Sequence, residues 1–200
     1  MAAPREAAID KRRVILDAAV RVFARQGFHT CRVSDIADEA GVAYGLVYHY
    51  FKSKEEILDT LFQERWGVML AAIAEADAER TAPRDKLQAI ADFIIDSYRY
   101  DPDLMKVIIV EVTRAANTFG RTHLDQIRQA YDQIAGIVER AQAEGTFRRE
   151  IDPSFAALAF YGLVEQVLTR WIFDSEPLGD DELEQAKSLI VEMACRGLED

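Results

Sequence analysis

The side chains best suited to contacting another molecule are concentrated between residues 44 and 54. They are polar aromatics and cations around one glycine: Tyr44, Gly45, Tyr48, His49, Lys52 and Lys54. Tyrosine hydroxyls and histidine ring nitrogens can hydrogen-bond to phosphates or base edges, and lysine ammonium groups can pair with phosphate. Because glycine has no side chain beyond hydrogen, it lets a partner approach the backbone closely. This chemistry points to nucleic-acid binding.

Two short helices separated by a tight turn would position these side chains. The pattern predicts a helix over residues 33–40, a turn at Gly41 and a second helix over residues 44–50. Small or apolar residues fall at the spacing needed to pack both helices on a third: Ile36, Ala37, Ala40, Val42, Leu46 and Val47. This is the layout of a helix-turn-helix, whose second helix enters the major groove of DNA.

Helices are also expected on both sides of this motif. An amphipathic stripe from Ile15 to Phe23 predicts a helix over residues 11–26, which Gly27 would end. A fourth helix should open with Ser53 and Glu56 as a reciprocal capping box.

The rest of the chain is predicted to be helical as well, since no segment alternates as a strand does. Pro83, Pro102 and Pro153 mark helix starts, and Gly145 marks a helix end. Residues 104–116 are apolar nearly all round, which predicts a helix in the middle of a bundle. The expected fold is all-α with about nine helices. Residues 1–54 form a DNA-binding domain, and helix four joins it to a ligand-binding and dimerisation domain over residues 55–200.

The charge is distributed unevenly between these two parts. The net charge is −11, but residues 1–54 hold nine Lys and Arg against six Asp and Glu. A mildly basic N-terminal domain on an acidic body remains compatible with DNA, because attraction to phosphate depends on the local surface. The two cysteines match no metal-ligand spacing, and no apolar run is long enough to span a membrane. We therefore expect a cytoplasmic protein.

The motif resembles the TetR family of dimeric bacterial repressors. The resemblance covers about residues 11–62 and rests on Ala18-Ala19, Phe23, Gly27-Phe28, Ile36-Ala37, Ala40-Gly41-Val42, Gly45, Val47-Tyr48-His49-Tyr50-Phe51 and Lys54-Glu55-Glu56-Ile57-Leu58. It implies a homodimer whose paired DNA-binding domains grip adjacent major grooves of a near-palindromic operator. A small ligand bound in the helical body would then spread them.

The chain departs from the usual family pattern at four positions. Many members have a hydroxyl residue in place of Ala43, a His in place of Tyr50, and Thr or Ser in place of Cys31 and Arg32. Alanine at position 43 removes a helix cap and a phosphate contact. The charge of Arg32 would compensate as a DNA contact.

The last two helices are expected to form the dimer interface. Large and small residues suited to packing across a two-fold axis occur together there: Phe155, Leu158, Ala159, Tyr161, Gly162, Val164 and Val167.

The effector pocket is expected among the middle helices. Its apolar candidates are Phe93, Tyr98, Ile108, Val112, Phe119 and Trp171, and its polar candidates are Glu111, Arg114, Asn117 and Glu165. The segment from Phe160 to Phe173 resembles the matching helix of TetR-type regulators of fatty-acid degradation. That resemblance implies release from DNA by long-chain acyl-CoA. An apolar pocket alone fits an unrelated ligand such as a drug or a sterol equally well.

Two other classes of protein compete with this interpretation. An enzyme is disfavoured because the three histidines form no metal-ligand pair and the chain lacks a phosphate loop or nucleophile elbow. No metal and no cofactor are expected. A helical adaptor that binds protein and not DNA has no need for the tyrosines, His49 and Lys54 at their motif positions.

Overall fold

The computed structural model describes residues 4–112, 121–174 and 178–198, with side chains from residue 11 onward except at 111, 112 and 121–123. Across these ranges the chain forms nine α-helices and no strand, which confirms the predicted all-α fold. The helices are α1 Pro4–Gln26, α2 Val33–Ala40, α3 Tyr44–Tyr50, α4 Lys54–Ala78, α5 Pro83–Tyr100, α6 Pro102–Lys106, α7 Arg121–Ala143, α8 Pro153–Phe173 and α9 Asp180–Arg196.

The chain divides into two compact units. The first unit contains the described residues of 1–64 and 103–120, and the second unit those of 65–102 and 121–200. The continuous helix α4 changes from the first unit to the second between Glu64 and Arg65.

Helix α1 forms the core of the first unit. The predicted stripe from Ile15 to Phe23 is fully buried, and α2 packs against it. Gly27 ends the helix with a left-handed φ of 81°, and its amide donates to the Phe23 carbonyl over 2.8 Å.

The start of α4 differs in detail from the predicted capping box. The Ser53 hydroxyl accepts from the Glu56 amide as expected, over 3.3 Å. The Glu56 carboxylate instead accepts from the Lys52 amide over 2.6 Å, one residue before the expected donor. Both bonds still satisfy backbone N–H groups at the open end of the helix.

The apolar stretch expected as one helix is divided in two. The short α6 is followed directly by a π-helical turn over residues 107–112, and this stretch packs against α1 in the first unit. Its sequence, Val-Ile-Ile-Val-Glu-Val, is rich in β-branched residues, which favour the α-helix less than unbranched residues do.

The second unit is built from α5, α7, α8, α9 and the later part of α4. The prolines at 83, 102 and 153 each begin a helix, as predicted. Asp152 caps α8 by accepting from the Phe155 amide over 2.9 Å. Helices α5 and α9 are tied by the buried Lys187, whose ammonium donates to Asp96 over 2.6 Å.

One face of α8 and α9 carries apolar side chains that the single chain leaves exposed. Phe155 is 65% exposed and Met193 is 64% exposed, and Leu158 and Leu189 accompany them. Two residues expected on this face turn away from it, since Val164 is fully buried and Tyr161 packs against rings of its own unit.

Candidate functional site

A left-handed turn sets the angle between α2 and α3. Gly41 adopts a φ of 64°, and the Val42 amide donates to the Ala37 carbonyl over 3.0 Å. Ile36, Ala37 and Val47 are buried beneath the turn. The helix-turn-helix geometry therefore follows from one glycine and a small apolar core.

The outward face of α3 carries two tyrosines that contact each other. Tyr44 is 54% exposed and Tyr48 45% exposed, and their hydroxyl oxygens lie 3.3 Å apart. Their rings meet edge to face at 5.1 Å between centroids. The hydrogen bond with Tyr44 raises the pKa of the Tyr48 phenol, so Tyr48 keeps its proton.

The other predicted contact residues lie around this pair. Gly45, His49 and Lys52 are exposed on or beside α3. A methyl group built on Gly45 would meet no atom within 4 Å, so nothing inside the described chain requires glycine there. Arg32 is exposed at the start of α2, where its amide donates to Asp35 over 2.8 Å. Phe51, at the end of α3, is buried, as large aromatic side chains commonly are.

Lys54 lies differently from the other predicted contacts. Its ammonium donates to the carbonyls of Phe28, His29 and Cys31 over 2.7, 3.3 and 3.0 Å. Three carbonyls match the three donors of an ammonium group. The structure therefore directs this side chain at the loop between α1 and α2.

The Glu64 carboxylate of α4, which the sequence did not single out, joins α4 to α1. Glu64 accepts from Arg12 over 3.0 Å and pairs with Arg13 at 3.4 Å. Arg12 also lies 5.2 Å from the centre of the Phe51 ring. Ion pairing thus occupies both arginines of the basic run in α1.

The Glu39 carboxylate likewise joins α2 to α1. It accepts from Arg21 over 2.7 Å and from Arg25 over 3.0 Å. These two hydrogen bonds lower the pKa of the Glu39 carboxyl. Sequence spacing could not reveal these ion pairs, because the arginines lie in α1 and the glutamate lies in α2.

The predicted effector residues are distributed over both units. Phe93, Tyr98, Glu165 and Trp171 belong to the second unit and Ile108 to the first. The Tyr98 and Trp171 rings lie 5.6 Å apart. The side chains of Glu111 and Val112, and residues Arg114, Asn117 and Phe119, lie outside the described residues.

Sequence reasoning missed a polar and aromatic cluster in the second unit. The Arg65 guanidinium lies 4.8 Å from the centre of the Phe93 ring. Tyr161 meets Tyr131 edge to face at 5.4 Å and lies 6.2 Å from Trp66. One feature of the sequence could have revealed this cluster: Arg65 is a cation within the apolar stripe of α4. It follows Leu58, Leu61 and Phe62 at helical spacing and precedes Met69.

A metal centre and a membrane-spanning helix each place requirements on the described part of the chain. Its histidine, cysteine and acidic side chains form no cluster that could hold a metal ion. None of its helices has the length and apolar character needed to cross a membrane.

Two family models cover most of the sequence. Residues 15–61 match the model of bacterial regulatory proteins of the tetR family, and residues 83–194 match a tetracyclin repressor-like C-terminal domain. The chain therefore belongs to the TetR family, whose members are DNA-binding transcriptional regulators that respond to small molecules. Because this is a family of regulators, the expectation of a non-enzyme is confirmed.

Several proteins that the chain resembles are regulators of fatty-acid metabolism. The chain is 32% identical over 163 residues to a fatty acid metabolism regulator protein of Bacillus subtilis, covering 81% of this chain and 84% of that protein. It is similar to the fatty acid degradation regulator FadR of Bacillus halodurans, with a TM-score of 0.84, 26% identity and coverage of 98% and 97%. It is also similar to FadR of B. subtilis in complex with stearoyl-CoA, with a TM-score of 0.82, 27% identity and coverage of 92% and 97%. The predicted resemblance to the fatty-acid subgroup is confirmed.

Proposed function

We propose that this chain acts in the cytoplasm as a homodimeric repressor that binds a near-palindromic operator. Residues 1–54 would form the DNA-binding domain, and residues 55–200 the ligand-binding and dimerisation domain. A small apolar effector, a long-chain acyl-CoA, would release the protein from DNA.

The exposed face of α3 supports the DNA half of the proposal. Tyr44, Gly45, Tyr48 and His49 would meet base edges and phosphates, while Arg32 and Lys52 would pair with phosphate. Lys54 would act on DNA binding by ordering the loop before α2, since its ammonium is engaged by carbonyls.

The exposed apolar face of α8 and α9 supports the dimer. Contiguous apolar surface of this kind marks an interaction site, and two copies joined across a two-fold axis would bury it on both sides. A two-fold dimer also matches the symmetry of a palindromic operator.

The effector assignment rests on one observation, the similarity to a regulator solved with stearoyl-CoA. We expect the effector to bind the DNA-free arrangement more tightly than the DNA-bound one, because only such a difference shifts the balance between them. Helix α4 would carry the change, since it is continuous from one unit into the other.

Fluorescence anisotropy tests both halves at once. A labelled duplex from the upstream region of the protein's own gene is titrated with protein, and palmitoyl-CoA is then added. Specific binding that palmitoyl-CoA abolishes is the expected result. Specific binding indifferent to palmitoyl-CoA would contradict the effector and favour an unrelated apolar ligand such as a drug or a sterol. No binding to any genomic fragment would contradict the repressor and favour a helical adaptor.

A further inference from the structure

Arg65 is a desolvated cation without a counter-ion in the part of the chain that the structure describes. Its guanidinium is half-buried and contacts the face of Phe93 at 4.8 Å. Burial lowers the pKa of Arg65. Arg99 and Arg140 of the same unit, by contrast, form ion pairs with Asp180 and Asp77.

Keeping a charged guanidinium partly out of water costs free energy. An arginine keeps its charge in proteins, so it cannot escape the loss of water by deprotonation. A contact with an aromatic face recovers only part of that loss. An anionic oxygen brought to the guanidinium would recover more, because charge-assisted bonds to a forked donor are the strong ones.

A neutral hydroxyl donor, Tyr161, lies near this cation, and a second, Tyr131, adjoins the first. Tyr161 lies in electrostatic reach of Arg65 and of Glu165, and its ring packs edge to face on Tyr131 with 5.4 Å between the ring centroids. Burial raises the pKa of both tyrosines, so both phenols keep their protons. Burial also raises the pKa of Glu165, which lessens the negative charge nearby.

Apolar surface adjoins the polar groups. Trp66 lies 6.2 Å from Tyr161, and Phe93 lies beneath the guanidinium. The cluster thus combines one unpaired cation, two phenols and two large apolar rings, which suits a molecule with an anionic group attached to an apolar body.

We propose that Arg65 binds the anionic oxygen group of an apolar effector, with the Tyr131 and Tyr161 phenols as additional hydrogen-bond donors. The proposal rests on the proposed function for the apolar body of that effector. The anionic group is either the carboxylate of a free fatty acid or a phosphate of its CoA ester, and both present the same kind of oxygen to the guanidinium.

Intrinsic fluorescence of the DNA-free protein tests this site. The chain has two tryptophans, and one of them, Trp66, is next to Arg65 and reports on the site in the otherwise unchanged protein. Decanoate, decanoyl-CoA and decanol are titrated in turn, because decanol has the apolar body without the anion.

We expect the anionic ligand to bind about tenfold or more tightly than decanol, and Arg65→Gln to remove that preference while leaving decanol binding unchanged. Arg65→Lys keeps the positive charge but lacks the forked pair of N–H donors, so it should retain part of the preference for the anionic ligand. Arg128→Gln, which removes an exposed arginine of α7, is the matched control and should bind like the parent. A preference for both decanoate and decanoyl-CoA identifies the carboxylate as sufficient, whereas a preference for decanoyl-CoA alone identifies the phosphate.

Two results would overturn the inference: a parent protein without preference for an anion, or an Arg65→Gln variant that keeps the preference. If Arg65→Gln fails to fold by circular dichroism, Arg65→Met gives the same comparison with an apolar stem of similar length. Loss of DNA release by palmitoyl-CoA in the anisotropy experiment would instead contradict the proposed function, because this titration uses no DNA.

Discussion

The Lys54 ammonium donates to the Phe28 carbonyl over 2.7 Å and also lies 4.8 Å from the centre of the Phe28 ring. The same ammonium donates to the Cys31 carbonyl over 3.0 Å. One side chain thus ties the first turn of α4 to the loop that leads into α2. The orientation of the DNA-reading helices depends on this tie, because α2 begins only two residues after Cys31.

Replacing Lys54 by Met should destabilise the first unit by about 1–3 kcal/mol, because two half-buried carbonyls, those of Phe28 and Cys31, and one exposed carbonyl lose a charged donor. DNA affinity should fall, while the slope of log affinity against log salt should stay unchanged, since no phosphate contact is removed. Lys52→Met is the matched control. It should leave the unfolding midpoint unchanged and reduce the salt slope by about one. A reduced slope for Lys54→Met would instead identify Lys54 as a direct phosphate contact.

Replacing Gly45 by Ala should separate folding from DNA binding. The methyl group meets nothing within 4 Å and improves helix propensity, so the protein should gain up to about 1 kcal/mol. Operator affinity should nevertheless fall by at least about tenfold, because DNA is expected to approach this backbone closely. Gly67→Ala lies in α4 with equally open space and should stabilise without changing DNA binding. Unchanged affinity of Gly45→Ala would place the DNA elsewhere.

Replacing Ala43 by Thr should stabilise α3. The N-cap residue of α3 makes no side-chain hydrogen bond, and a hydroxyl there would accept from an open backbone N–H, a gain of about 1 kcal/mol. The hydroxyl should also raise operator affinity by donating to phosphate. Asp152→Ala removes the cap of α8 and should lower stability by a similar amount without affecting DNA. Thermal unfolding and anisotropy measure the two effects, and a destabilised Ala43→Thr would contradict the prediction.

Replacing Glu165 by Gln should change stability in a pH-dependent way. Burial raises the folded-state pKa of Glu165 above its unfolded value, so its favourable contribution is full below pH 4.5 and is lost as pH rises through the folded pKa. The Gln variant should therefore be more stable than the parent above that window and lose its advantage near pH 4.5.

Glu39→Gln provides the opposite control for that experiment. Hydrogen bonds from Arg21 and Arg25 lower the pKa of Glu39, so its contribution is present above pH 4.5 and is lost as pH falls through the folded pKa. This variant should be less stable than the parent at neutral pH and approach it in acid. Unfolding midpoints across the pH range report both, and equal pH profiles for the two variants would contradict both assignments.

Replacing Phe155 by Glu should separate the proposed dimer. The side chain is 65% exposed in the single chain, so the change should barely affect the fold of the monomer. A charge buried in an apolar interface without a partner should shift the equilibrium to monomers. Sedimentation velocity measures the mass. Val68→Glu, which alters an exposed apolar residue of α4, should remain dimeric, and a dimeric Phe155→Glu would contradict the assigned face.

Local rules predicted most of the helices. The stripe of α1, the glycines at 27 and 41 and the prolines at 83, 102 and 153 each act within a few residues, so their effect is readable from spacing. The π-helical turn after α6 was not predicted, because an apolar run all round gives no period to interpret.

The site residues were predicted less completely than the helices, because a sequence does not show where a side chain points. A lysine at the start of a helix suits a phosphate or a set of carbonyls equally well, and only the fold shows that Lys54 reaches Phe28 and Cys31. Arg65 was passed over because one cation in an apolar stripe is commonly tolerated by extending to water. The fold instead places its guanidinium against Phe93.

The segment beginning at Asp103 belongs to the first unit although it follows more than thirty-five residues of the second, from Arg65 to Pro102. Its π-helical turn packs against α1. A chimera that joins the start of one relative to the remainder of another at a single junction would therefore pair α1 with a foreign segment. Exchanging the DNA-reading portion between relatives, by recombination or by cloning, requires three junctions so that residues 103–112 travel with α1.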